Sequence, residues 1–128
     1  MTFGARALIR LGALQENLKV IRAAAPGAKI MAVIKANAYG HGMTTVADSL
    51  GEADSFAVAR LPEAVVLHES GVNRPIVLLA GALTVDELDE ALQRGFEIVV
   101  HCAEQIELLE SSRRGGAVVW SKFDTGMN

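Results

Sequence analysis

Only four lysines occur in the 128 residues, and one of them, Lys35, directly continues the apolar run Ile30-Met31-Ala32-Val33-Ile34. An ammonium carried at the end of a buried strand is poorly solvated. That favours the neutral amine, which is the form that condenses with an aldehyde to a Schiff base. A lysine snorkelling to the rim of a sheet leaves the same trace without any chemistry, and on composition alone this plainer reading leads. The next residues, Ala36-Asn37-Ala38-Tyr39-Gly40-His41-Gly42, change the balance. Two glycines flank His41 and a helix begins nearby, so the loop is expected to present backbone N–H groups and the Tyr39 hydroxyl to a phosphate. Singly, Tyr39 suits a half-buried packing position and His41 a loop cap, so it is their combination beside Lys35 that counts. A second lysine, Lys122, opens Lys122-Phe123-Asp124-Thr125-Gly126-Met127-Asn128 at the end of a later apolar run.

Other candidates carry less. His68 falls inside a helical stretch and reads as a surface histidine. His101 ends a strand, where packing is the better account, although it could line a pocket mouth. Cys102 has no demonstrable acid/base partner in the sequence and reads as a small buried residue. Trp120, within the last strand, reads as core. Asp86, Glu87, Asp89 and Glu90 make a charge run of the kind found on a solvated helix face. No metal-ligand spacing is evident.

Five apolar runs rich in Val, Ile and Ala recur along the chain: 29–34, 55–59, 75–79, 97–101 and 117–123. Continuous apolar character, without alternation, marks parallel strands covered on both faces. Helical spacing fills the gaps. Leu11, Leu14, Leu18 and Ile21 step by three and four until Pro26-Gly27 stops them. Met43, Val46, Ala47 and Leu50 give a second helix ended by Gly51. A third opens at Pro62 and closes at Gly71. Thr84 with Glu87 forms a capping box for a fourth, which presents Leu88, Ala91 and Leu92 and stops at Gly95. Ile106 and Leu109 mark a fifth. One helix, four strand–helix units and a fifth strand predict an α/β fold built from right-handed βαβ units around a parallel sheet. Two closures suit this order, an open doubly wound sheet or part of a (β/α)8 barrel of the TIM type. The functional groups then belong at the carboxyl ends of the strands, where Lys35 and Lys122 both fall.

Composition narrows the function classes. The chain is 51% apolar and 21% charged, which suits a folded core. A net charge of −3, with no basic cluster beyond Arg113-Arg114, argues against nucleic-acid partners. A single cysteine implies no disulfide framework and a reducing compartment, with the cytoplasm as the expected location. The first residues lack the pattern of a signal peptide, and no apolar run is long enough to span a membrane.

The segment Ala32 to Gly42 resembles the lysine motif of bacterial alanine racemases, which depend on pyridoxal 5′-phosphate (PLP). Lys122 to Asn128 resembles that family's Lys-x-Asp-(Ser/Thr)-Gly-Met segment. Leu14-x-x-Asn17-Leu18 and Ala57-Val58-Ala59-Arg60-Leu61 are weaker likenesses in the expected order. The resemblance implies about the first five strands of the PLP-binding barrel over residues 11–128. It also implies that residues 1–10 form a short strand belonging with a later C-terminal β domain. Lys35 would be the catalytic lysine, carrying PLP as a Schiff base and moving a proton on one face of L- or D-alanine. Tyr39 would bind the cofactor phosphate. Lys122 would be a support lysine, in many relatives carbamylated so that it orients a neighbouring arginine; a strand-end lysine paired with Asp124 is the plainer alternative. The family acts as a homodimer, whose opposite-face tyrosine lies in the later domain. The 128 residues by themselves are therefore expected to be an inactive N-terminal part with an unpaired sheet edge. A non-catalytic PLP-binding barrel and a racemase of broader specificity are the alternatives. A flavodoxin-like nucleotide domain fits poorly, because no phosphate loop of either glycine-rich form follows the first strand.

Overall fold

The computed structural model describes residues 4–112 and 114–127. Its elements run α1 (Leu11–Ala24), β1 (Met31–Val33), α2 (Lys35–Tyr39), α3 (Met43–Ser49), β2 (Ser55–Val58) and α4 (Leu61–Glu69). They continue with β3 (Ile76–Leu78), α5 (Val85–Gln93), β4 (Glu97–Val100), α6 (Ala103–Ser111) and β5 (Val119–Ser121). The five strands and five helices expected from apolar runs and helical spacing are present, residues 4–10 form no strand, and α2 is an addition that apolar periodicity gave no reason to expect. The strands are shorter than the apolar runs that announce them. Ile34, the last residue of the first run, is buried at 3% exposure just past β1, so hydrophobic runs overestimate strand length.

All five strands are parallel and lie in the order β1-β2-β3-β4-β5. That order decides between the two closures. A doubly wound sheet reverses direction at a switch point, and this one never does. A chain that always adds its next strand on the same side, through right-handed crossovers, stacks its helices on one face and curls toward a barrel. The buried side chains divide accordingly. Phe56, Val58, Ile76, Leu78 and Ile98 point to the helical layer and join Leu18, Val46, Ala64, Leu67, Leu88 and Ala91 in the large core. Their strand neighbours Ala57, Val77 and Val99 form a separate small cluster with Met31 and Leu79. Because side chains alternate along a strand, this second cluster lies on the opposite face, the concave side of the partial barrel.

Each fully buried Leu, Ile or Phe of the main core contributes about 1.5–3 kcal/mol by leaving water. On the amino-terminal side, Asp54 ties α1 to the sheet by accepting from the Ile30 N–H at 2.7 Å and from Arg22 Nη2 at 3.1 Å. The backbone bond from Ile30, followed by the Arg22 guanidinium, holds this carboxyl below the ordinary aspartate range. β5 differs from the other strands, with all three residues exposed. Trp120, expected in the core, is 47% exposed. Its indole N–H donates to Glu97 Oε2 at 2.6 Å on the concave side, where Trp120 pairs in register with Val99. Cys102 is only partly buried. Residues 4–10 are exposed and outside the sheet, and Arg113 and Asn128 lie outside the described residues. None of the described helices is long and apolar enough to cross a membrane.

Candidate functional site

The chain reverses hand immediately after Lys35. Ala36, Asn37, Ala38 and Tyr39 take φ values of 52, 54, 54 and 54°, so α2 is a left-handed turn. Left-handed backbone costs a non-glycine residue roughly 1–2 kcal/mol, and four in a row persist only if the surroundings hold them. The holding contacts come from all sides. Ala36 N–H donates to Glu63 Oε1 at 2.7 Å, and Ala38 N–H to the Ile34 carbonyl at 2.9 Å. Asn37 receives on both its oxygens, its carbonyl from Gly42 N–H at 2.9 Å and its side-chain Oδ1 from Met43 N–H at 2.8 Å. Ala38 is buried, and His41 Nδ1 lies 2.8 Å from the Ala38 carbonyl. Gly40 and Gly42, at φ 86 and 92°, then return the chain to α3. Asn is the side chain best able to accept this backbone region, and here its amide oxygen also begins the next helix.

This arrangement changes one expectation. The amides of Gly40, His41, Gly42 and Met43, anticipated as a phosphate cradle, are all spent inside the loop, on Ala36, Ala38 and the two Asn37 oxygens. The glycines serve the turn itself. What remains available for a ligand is the Tyr39 side chain, which is 60% exposed.

A second device runs along the carboxyl rim of the sheet. The third residue of each of α4, α5 and α6 reaches back to its own loop and across to the preceding one. Glu63 accepts from Ala59 N–H at 2.7 Å and Arg60 N–H at 3.3 Å, besides Ala36. Glu87 accepts from Leu83 N–H at 2.8 Å and from the Arg60 guanidinium at 3.2 Å. Gln105 accepts from His101 N–H at 3.0 Å and donates to the Ala80 carbonyl at 2.8 Å. Gln105 needs room to do so, and Gly81 provides it. A Cβ on Gly81, whose φ is +69°, would lie 2.4 Å from the Val99 carbonyl and 2.5 Å from Gln105 Nε2.

Lys35 stands where this rim begins. It is half-buried, and its amine makes no hydrogen bond or ion pair among the described residues. Lys122 follows β5 at the far end of the same rim. It is exposed, and its backbone N–H extends the ladder by donating to Val100 at 2.9 Å. Asp124 shapes the turn beyond it by accepting from Gly126 and Met127 N–H at 3.0 and 2.8 Å. The two lysines thus share an edge with three strands between them. His101 is exposed at the same edge, its backbone N–H tied to Gln105. Sequence reading missed Glu63 and Asn37. The signal for Glu63 was present, since it lies three residues after Arg60 as Glu87 does after Thr84, a spacing that places a carboxylate over the first turn of a helix. Asn37 gave none, because nothing in the sequence announces a left-handed turn at non-glycine residues.

A singly wound parallel sheet, helices on one face and a lysine at the carboxyl end of the first strand define part of a lysine-bearing (β/α) barrel. Residues 9–128 match the family described as alanine racemase, N-terminal domain, and the chain belongs to that family. It is 46% identical over 126 residues to an alanine racemase of Hamiltonella defensa, covering 98% of this chain and 35% of the relative. Against an alanine racemase of Shewanella sediminis it is 47% identical over 124 residues, with 96% and 35% coverage. Among solved structures, alanine racemase from Acinetobacter baumannii superposes with a TM-score of 0.88 at 37% identity, over 94% of this chain and 37% of that one. Biosynthetic alanine racemase from Pseudomonas aeruginosa gives 0.86 at 37% identity, over 91% and 33%. The chain therefore spans about a third of the length of the curated relatives it matches.

Proposed function

We propose that this chain supplies the cofactor-anchoring part of an alanine racemase, with PLP as cofactor and a homodimer as the working form. It would act in the cytoplasm and supply or consume D-alanine. The observation that carries the reading is the Lys35 amine, without a partner among the described residues and set at the rim by a braced left-handed turn, in a chain of this family. The donor set suits PLP in part: a primary amine for its aldehyde and a phenol, Tyr39, for its phosphate. When bound, the cofactor's pyridine ring delocalises the charge that develops at the substrate α-carbon. The chain's own share is positional and acid–base. Lys35 Nζ would hold the cofactor's aldehyde and would take or return the proton on one face of the substrate α-carbon. A positioned acid/base of this kind contributes about 10²–10⁴-fold. Tyr39 Oη would donate to the phosphate. Lys122, four strands along, would serve as a support lysine. The opposite-face acid/base and the substrate carboxylate contacts would come from the rest of the complete coding frame.

The test is borohydride reduction of the protein expressed from that complete frame and loaded with PLP, followed by peptide mapping and an assay of D- and L-alanine interconversion. The expected result is one adduct, on Lys35, with racemisation in both directions. A stable adduct on Lys19, Lys29 or Lys122 would overturn the assignment. An adduct on Lys35 without turnover of any amino acid would favour a PLP-carrying barrel without catalysis.

A further inference from the structure

We infer that Glu63, on a helix that does not carry Lys35, is the positioning residue for that lysine. The inference rests on the reading of Lys35 as the cofactor anchor. A peptide unit is planar, so the Ala36 N–H and the Lys35 carbonyl turn together. Whatever grips that N–H sets the rotation of the backbone about Lys35, and with it the direction in which the Lys35 side chain leaves the rim. Glu63 Oε1 grips it at 2.7 Å, at the point where the chain reverses hand. Its other oxygen is held by Ala59 N–H at 2.7 Å and Arg60 N–H at 3.3 Å, at the carboxyl end of β2. The lysine's peptide is thereby referenced to the neighbouring strand, which is a rigid frame.

The three rim braces differ in a way that supports a specific role. Gln105 bridges a donor and an acceptor, the His101 N–H and the Ala80 carbonyl, so an amide with one oxygen and one nitrogen matches both. Glu63 faces backbone N–H donors only, on both oxygens. A glutamine in its place would set an NH2 group against an N–H and lose one side of the bridge. Glu87 also bridges two donors, but these belong to Leu83 and Arg60, away from β1. It serves as the internal control, a brace of the same construction that does not touch the lysine's peptide.

The experiment uses the complete coding frame with PLP as the probe, and compares wild type, Glu63→Gln, Glu63→Asp and Glu87→Gln. Three quantities are read: the rate at which a borohydride-stable adduct appears on Lys35, the visible circular dichroism of bound PLP, and Tm. Glu63→Gln is expected to slow adduct formation on the order of 10- to 100-fold and to weaken the dichroic band, as a small misplacement of a reacting group does. Its Tm should fall no further than that of Glu87→Gln, which keeps the wild-type rate and band. Glu63→Asp retains both acceptors on a shorter arm that cannot reach both strand ends, and should be slowed similarly. It decides the matter if Glu63→Gln fails to fold. Wild-type rate and dichroism in whichever Glu63 variant folds would overturn the inference. If the wild type itself forms no adduct on Lys35, the cofactor reading fails instead, and the two failures are distinguishable.

Discussion

The rim around β1 and the segment around β5 both carry a lysine at the carboxyl edge of one parallel sheet, yet they are built differently. The turn after Lys35 is held by Glu63, Asn37, His41 and the buried Ala38, and so draws on α4 as well as on itself. At Lys122 the backbone extends the ladder to Val100, Asp124 accepts from Gly126 and Met127 N–H in the turn beyond, and the strand residues are exposed. A residue poised for chemistry needs its backbone fixed by partners from other elements, because local bonds alone leave the whole segment free to tilt. The first lysine has such partners within this chain. The second follows a strand whose three residues are all exposed.

Four comparisons would break or sharpen this contrast. The largest effect is expected at the two lysines, in the protein from the complete frame. Lys35→Arg should remove the reducible adduct and lower alanine racemisation by about 10²–10⁴-fold, since a guanidinium that stays protonated cannot form the imine. Lys122→Ala should leave the adduct in place and cost less activity. Equal losses of adduct in the two variants would end the distinction.

Next come the packed and edge strands. Phe56 is 1% exposed in β2, and its replacement by Ala should cost about 3–5 kcal/mol in denaturant unfolding. Trp120 in β5, at 47% exposure, should cost clearly less when replaced by Ala in this 128-residue chain. A Trp120→Ala loss as large as that at Phe56 would show that β5 is packed rather than open.

Smaller differences separate the two turns. Asn37→Ala removes the bond to Met43 N–H and puts Ala at a φ of 54°, so roughly 1–2 kcal/mol should be lost. Asp124→Ala touches an exposed turn and should change urea stability by about 0.5 kcal/mol or less. A chevron or equilibrium urea series on both variants measures the gap.

The smallest effect concerns acid. Asp54 is held below its ordinary range by the Ile30 N–H and the Arg22 guanidinium, so its ionised form is favoured by folding. The resulting stabilisation is present above the unfolded-state pKa and is lost as pH falls through the lowered folded-state value. Asp54→Asn should therefore flatten the acid limb of a urea-midpoint profile while leaving the shape above neutrality unchanged. An unaltered acid limb would mean that Asp54 binds no differently in the folded chain.

Much of this was legible in the residues themselves. Parallel strands, the helices between them and the placing of Lys35 and Lys122 at strand ends follow from apolar runs and helical spacing, because burial on two faces or one leaves a direct mark on residue order. Element boundaries were less legible. Ile34 is apolar because it is buried, although β1 ends one residue before it.

What the linear order could not supply were interactions between residues far apart in it. The apolar runs allowed both an open doubly wound sheet and a barrel; the uninterrupted order β1-β2-β3-β4-β5 chose the barrel. Glycines around His41 suggested amides free for phosphate, and the folded turn consumes them instead. Glu63 looked like one more helix-start carboxylate, yet its reach to Ala36 crosses 27 residues. Residue type and spacing record what a side chain is and which face it occupies. Which distant N–H it meets depends on how adjacent strands register, and that is settled only when the chain packs.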